Sequence, residues 1–236
     1  MSDGRGVEET ARRQAAIAVR NAFSTNRHGY GSCEHDDGRM SLMPWIDHSA
    51  PSGPVVKLTY DDFLRFPEDG KRHELIDGEH YVTPSPNLCH QRILGNLFEA
   101  FRMYLREHPG GEVFCAPFDV VLSDADIAEP DLLYVSRERS AEVLTPQHVR
   151  GAPNLVIEIA SKGTRRRDET IKRRLYERAG VSEYWVVDPI VDVIRIYRQS
   201  GTGFAPATEL RRDAGDSIGT PLMPGLAIAL REIFPG

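Results

Sequence analysis

The chain is expected to fold as an α/β protein, an α+β mixed sheet flanked by helices, on three observations. Asn154-Leu-Val-Ile-Glu-Ile-Ala160 is an apolar run interrupted by one acid. Val156, Glu158 and Ala160 share one strand face and Leu155, Ile157 and Ile159 the other, so both faces are covered, as in the middle of a layered sheet. The order strand, helix, strand around Glu158, Lys172 and Tyr184 is a crossover unit, which makes those two strands parallel. Leu88 to Glu107 carries Ile93, Leu94, Leu97, Phe98, Phe101 and Leu105, the apolar stripe of a helix able to cover the sheet.

Along the chain, residues 1–54 read as an extension: Glu8 to Phe23 is compatible with a helix, but Ser24 to Gly53 is polar, Gly-rich and without sustained periodicity. Cys33, His35, Asp36 and His48 fall there at spacings that match no structural zinc pattern. The folded domain is expected over residues 55–236. Thr59 is an N-cap for a short helix, Tyr60 to Arg65, stopping before Pro67. Glu74 to Val82 reads as a hairpin turning at Asp77-Gly78. The long helix is closed by Pro109-Gly110-Gly111; strands follow at about Glu112 to Leu122, Leu132 to Val135 and Leu155 to Ala160. A helix from Asp168 to Ala179 ends at Gly180, and Tyr184 to Val187 and Val193 to Tyr197 complete the strands.

With 236 residues, 40% of them hydrophobic and 27% charged, the chain reads as a soluble globular protein with one sizeable core. Without a bilayer-length apolar run or a secretory pattern at its start, it is expected in the cytoplasm with no membrane partner. Three well-separated cysteines argue for reduced thiols. A net charge of −6 speaks against a surface coated in positive potential, yet Arg165 to Arg178 holds seven basic residues against three acids. Such a run is either a solvated helix face or a phosphate-facing patch.

Glu158 carries most of the functional information. A charge buried in a strand either neutralises or finds a partner; that partner is an Arg from the following helix, in a structural reading, or a divalent cation shared with a second carboxylate. Asp131, at the mouth of the strand after Pro130, is the second carboxylate. Hydrolysis of a phosphodiester needs charge neutralised on phosphoryl oxygens and a water made nucleophilic, which hard cations on carboxylates supply, and an ammonium nearby is a further asset. Asp168, Lys172 and Tyr176, four apart, share a helix face, flanking Ile171 and Leu175, which are expected to press on the sheet. Lys172 is thereby aimed toward Glu158, unless it only snorkels and pairs with Asp168.

Glu74-Leu-Ile-Asp-Gly-Glu79, His90, Pro130-Asp131, Glu158-Ile-Ala-Ser161, Thr164, Asp168, Lys172, Tyr176, Ala179-Gly-Val181, Glu183-Tyr-Trp-Val-Val-Asp-Pro189 and the tail Pro224-Gly-Leu226 to Ile233-Phe234 resemble, as an ordered set, the Uma-two family of endonucleases within the restriction-endonuclease-like PD-(D/E)XK superfamily. The resemblance spans about Leu58 to Phe234. It implies a restriction-endonuclease-like core and a Mg²⁺ (or Mn²⁺) held by Asp131 and Glu158. It also implies a catalytic lysine moved from the strand, where Ala160 now stands, to the helix at Lys172. Glu74 and His90 match recurrent family positions and are carried over as accessory candidates. Lys162, four residues after Glu158 where the family usually has proline, competes for the lysine role, although Gly163 argues that the strand has ended.

The expected activity is hydrolysis of nucleic acid, DNA in particular, with Asp131, Glu158 and Lys172 at its centre and Arg165, Arg166, Arg167 and Arg173 on the phosphate backbone; a homodimer is an admissible assembly. The alternative is a nuclease-fold protein that binds or regulates without cleaving, favoured by any apolar or cationic group between Asp131 and Glu158. Relief of repulsion in the empty site is expected to leave Asp131→Asn and Glu158→Gln each as stable as the parent or more so.

Overall fold

The computed structural model describes residues 56–235. The extension, its Glu8 to Phe23 helix and the cysteine–histidine set around Cys33 lie outside the described residues. Thr59 opens α1 (Tyr60–Phe63), the Asp62 carboxylate accepting from both the backbone N–H and the hydroxyl of Thr59. The hairpin follows as β1 (Arg72–Ile76) and β2 (Glu79–Thr83). Its turn puts Asp77 at φ 53° and Gly78 at φ 72°, the left-handed pair of a two-residue turn that matches strand twist. At Gly78 a side chain has no room, since a Cβ would stand 2.6 Å from the Cβ of Lys57.

The long helix, α2 (Leu88–Glu107), has the expected limits; Asn87 caps it by accepting from the His90 N–H at 2.9 Å. The single strand expected over Glu112 to Leu122 is two: β3 (Gly111–Cys115) and β4 (Val120–Ser123), divided at Pro117, which has no N–H to give to a ladder. Next come β5 (Asp126–Ala128), β6 (Leu132–Ser136), α3 (Arg137–Val143), β7 (Val149–Arg150) and β8 (Leu155–Ile159). The crossover is α4 (Arg165–Arg167), a π turn (Asp168–Lys172) and α5 (Arg173–Ala179), stopped by Gly180 at φ 82°. The chain then runs through β9 (Glu183–Asp188), β10 (Val193–Ser200), β11 (Gly203–Phe204), β12 (Thr208–Arg211), β13 (Ser217–Thr220), β14 (Met223–Ala229) and α6 (Leu230–Ile233).

These strands make a mixed α/β arrangement. The larger sheet has the order β11-β10-β9-β8-β6-β3, with β12 also on β10, and a second has the order β2-β1-β5-β4-β7. β8 and β9 are parallel, Glu158 opposite Val186; β6 runs antiparallel to β8, Leu132 opposite Ile157. Leu155, Ile157 and Ile159 meet Ile93, Leu97, Phe101 and Leu105 of α2 in one core, while Val156 and Ala160 meet Leu175 and Tyr176 of α5 in another. Each large side chain so buried contributes about 1.5–3 kcal/mol.

Ile171 departs from expectation: it is exposed, and Asp168, Lys172, Leu175 and Tyr176 are the buried residues of the crossover helix. In a regular α-helix, residues four apart drift by about 40° around the axis. The wider π turn rotates the chain more slowly, so Asp168, Lys172 and Tyr176 stay aimed at the sheet while Ile171 turns outward. Among the described residues no helix is long and apolar enough to cross a membrane.

A buried carboxylate site

Glu158 projects from the penultimate position of β8 onto the face that the crossover helix covers. Asp131 ends the segment entering β6, and the β6–β8 register delivers it to the same place, where its Oδ2 accepts from the Ile159 N–H at 2.8 Å. His90, in the first turn of α2, adds a 3.0 Å hydrogen bond from Nε2 to that oxygen, and Arg72 of β1 places Nη1 2.7 Å from Oδ1. Burial raises the Asp131 pKa, but His90, Arg72 and the Ile159 amide outweigh it and hold the carboxyl at about 2.

A second chain of ionic contacts runs beside the first. Lys172 Nζ lies 2.9 Å from Glu158 Oε1 and 2.8 Å from Glu74 Oε1, and the Tyr176 hydroxyl donates to Glu158 Oε1 at 2.8 Å. Glu74 also accepts from the Glu129 N–H and, at 3.3 Å, from the Thr83 hydroxyl, which itself accepts from Arg167 at 2.7 Å. Burial opposes charge on Lys172, yet Glu158, Glu74 and Asp168 more than compensate and keep it protonated. Glu158 is under-compensated: burial and the carboxylates of Asp131, Asp168 and Glu74 push its pKa up to about 8 despite Lys172.

Asp131, Glu158, His90, Arg72, Arg167 and Lys172 all line one pocket of about 100 Å³, together with Ser161 and Thr164. That is room for several waters or a hydrated ion. Among the described residues no three His, Cys, Asp or Glu form a ready metal cage. The donor chemistry nevertheless fits a hard dication, which is content with two carboxylates and retained waters. Five buried carboxylates (Glu74, Glu129, Asp131, Glu158 and Asp168) crowd around three cations (Arg72, Arg167 and Lys172), and burial together with this crowding raises the pKa of Glu158, Glu129 and Asp168. Asp168 Oδ1 and Glu129 Oε1 are buried without a hydrogen-bond partner. Crowded carboxylates and orphaned oxygens are what a divalent cation relieves.

Asp131, Glu158, Lys172, Glu74 and His90 are therefore brought together. Lys162 is not with them: it is exposed and does not line the pocket. Of the arginines expected on a phosphate backbone, Arg167 lines the pocket, lying over the Tyr81 ring and 3.7 Å from Glu74. Arg165 is held by Glu169 and Asp188, Arg173 lies over Tyr197, and Arg166 is exposed. Trp185 and Tyr184 are fully buried packing residues. The residue that sequence reasoning missed is Arg72. Its signal was available, because strand alternation puts Arg72 on the Glu74 face of β1.

The site can be compared with known proteins. A family model described as "Uma2: Putative restriction endonuclease" matches residues 60–231. No curated protein matches the chain. Among solved structures, a nuclease described as putative and "belonging to DUF820", from Anabaena variabilis ATCC 29413, is similar at 19% identity. The match covers 75% of this chain and 97% of that one, with a TM-score of 0.64. At that identity the likeness speaks to the fold, which is restriction-endonuclease-like. With the family match covering most of its length and the same fold beneath it, the chain belongs to the Uma2 family of restriction-endonuclease-like proteins.

Proposed function

We propose that the protein is a metal-dependent endonuclease-like phosphodiesterase that hydrolyses nucleic acid, DNA in particular. The observation that carries the reading is one pocket shared by two carboxylates from neighbouring strands and a buried, charged lysine. Asp131 and Glu158 would hold Mg²⁺ or Mn²⁺, which when bound neutralises phosphoryl charge and makes a water nucleophilic at neutral pH. The chain's own residues then have distinct tasks. His90 and the Ile159 amide fix the orientation of Asp131. Glu74 holds Lys172 as well, so that the ammonium stays charged at the pocket wall, where negative charge would develop on a phosphoryl oxygen. Arg167, at the pocket wall, offers a planar donor set matched to a phosphate.

One observation favours the non-cleaving alternative: Arg72 is a cation at Asp131, 2.7 Å away. The test is incubation of the full chain with supercoiled plasmid in Mg²⁺ and in Mn²⁺. Nicking that needs the divalent ion and disappears in Glu158→Gln and Lys172→Ala is expected. Retarded migration of the DNA without cleavage in either metal would overturn the enzymatic reading in favour of a binding protein.

A further inference from the structure

Arg72 is the one pocket cation without a task in hydrolysis, and its surroundings are asymmetric. Its side chain is about four-fifths buried and lies between two carboxylates. On one side Nη1 is closed on Asp131 Oδ1 at 2.7 Å; on the other Nε stands off Glu129 Oε1 at 3.7 Å, beyond hydrogen-bond reach. That Glu129 oxygen is buried and has no hydrogen-bond partner. A guanidinium carries five donors in a rigid plane, so a short swing of the same group would satisfy Glu129 at the expense of Asp131.

We infer that Arg72 is the resident counter-ion of the metal site, holding Asp131 when no divalent cation is bound and yielding it by moving onto Glu129. This inference depends on the reading of Asp131 as a metal ligand. Asp131 Oδ1 cannot serve a dication and a guanidinium at once, because two positive centres a few ångströms apart in a buried site repel strongly. Of its two oxygens, Oδ2 is already committed to His90 and the Ile159 amide, so Oδ1 is the one over which ion and guanidinium compete. Metal affinity is then lowered by the fraction of molecules in which Arg72 occupies the carboxylate. The exchange keeps Arg72 within the acidic cluster, so an arriving dication moves it from Asp131 to Glu129 without expelling a buried cation into water.

The experiment is calorimetric titration of Mn²⁺ alone into the full chain and its variants, with no substrate. Arg72→Met, which keeps the apolar stem and removes the donors, should bind Mn²⁺ about tenfold more tightly or better. Arg72→Gln, which retains a neutral donor for Asp131, should move in the same direction and stands in should the first variant fail to fold. Glu129→Gln, which takes the charge from the second seat of Arg72, should bind Mn²⁺ more weakly than the parent. Unchanged or weakened affinity in the Arg72 variants, with the parent binding Mn²⁺ through Asp131, would overturn the counter-ion role and leave the metal site standing. Failure of the parent to bind Mn²⁺, or binding that survives Asp131→Asn, would overturn the metal reading and the inference together.

Discussion

Replacing Glu158 with Gln should stabilise the metal-free protein at neutral pH and abolish most of its loss of stability with rising pH. Glu158 is fully enclosed and its pKa is pushed from 4.5 to about 8, first by burial and then by Asp131, Asp168 and Glu74. Between those two values the folded chain keeps a proton that the unfolded chain has released, so stability falls as pH rises across that window. At pH 7 the difference amounts to about 3 kcal/mol, at 1.36 kcal/mol per pKa unit. For a folded unit of this size 1 kcal/mol moves the melting temperature by roughly 2–4 °C, so the parent should lose on the order of 10 °C between pH 5 and pH 7 from this group. The Gln side chain still offers an oxygen to Lys172 and Tyr176, and Glu74 still pairs Lys172, so no buried cation is stranded. The assay is thermal unfolding in chelator across pH 5 to 8, for parent and variant. Parallel pH slopes, or a variant less stable than the parent at pH 8, would refute the reasoning.

Asp131→Asn should behave in the opposite way, which corrects the expectation that both carboxylates are destabilising. Its carboxyl is held at about 2 against an ordinary 3.8, so its stabilisation is present above pH 4 and lost as pH falls through 2. The variant, which strips Arg72 of its charged partner, should unfold at lower urea by about 2 kcal/mol at pH 7. Lys172→Ala should eliminate plasmid cleavage and, by leaving the buried Glu74 carboxylate without its ammonium, cost about 3–5 kcal/mol in the same urea titration. Exposed Lys162→Ala should retain turnover and stability and change at most the salt dependence of DNA binding by about one phosphate contact; loss of turnover in Lys162→Ala alone would reverse the two assignments. Gly78→Ala should lower the melting temperature by the equivalent of at least about 1–2 kcal/mol, because φ 72° and the 2.6 Å approach to Lys57 both exclude a Cβ.

Features governed by near neighbours in the chain were legible from the sequence. The Asp77-Gly78 turn, the Asn87-capped helix Leu88–Glu107, the doubly covered strand around Glu158 and the stop at Gly180 each depend on periodicity or on a backbone angle that few residues accept. Asp131 and Glu158 were legible for a related reason, since an acid in or beside an apolar strand conflicts with its surroundings wherever it is placed. The division of Glu112 to Leu122 into strands of two sheets was not, because strand partners are chosen by distant segments. Nor was the outward turn of Ile171, which a single π turn decides against the 3.6-residue pattern.

What only the tertiary structure decided is which charges meet. Arg72 and Asp131 are 59 residues apart, Lys172 and Glu158 14, and Arg167 and Thr83 84. Strand alternation and helix phase determine the face a side chain occupies, and they are local. The partner across that face is determined by how two sheets and a crossover helix close on one another, and burial then makes each such encounter count by removing the water that would have screened it. The sequence by itself therefore determined that this protein would bury two acids and a lysine, while the closing of the fold determined that an arginine would be waiting on one of the acids.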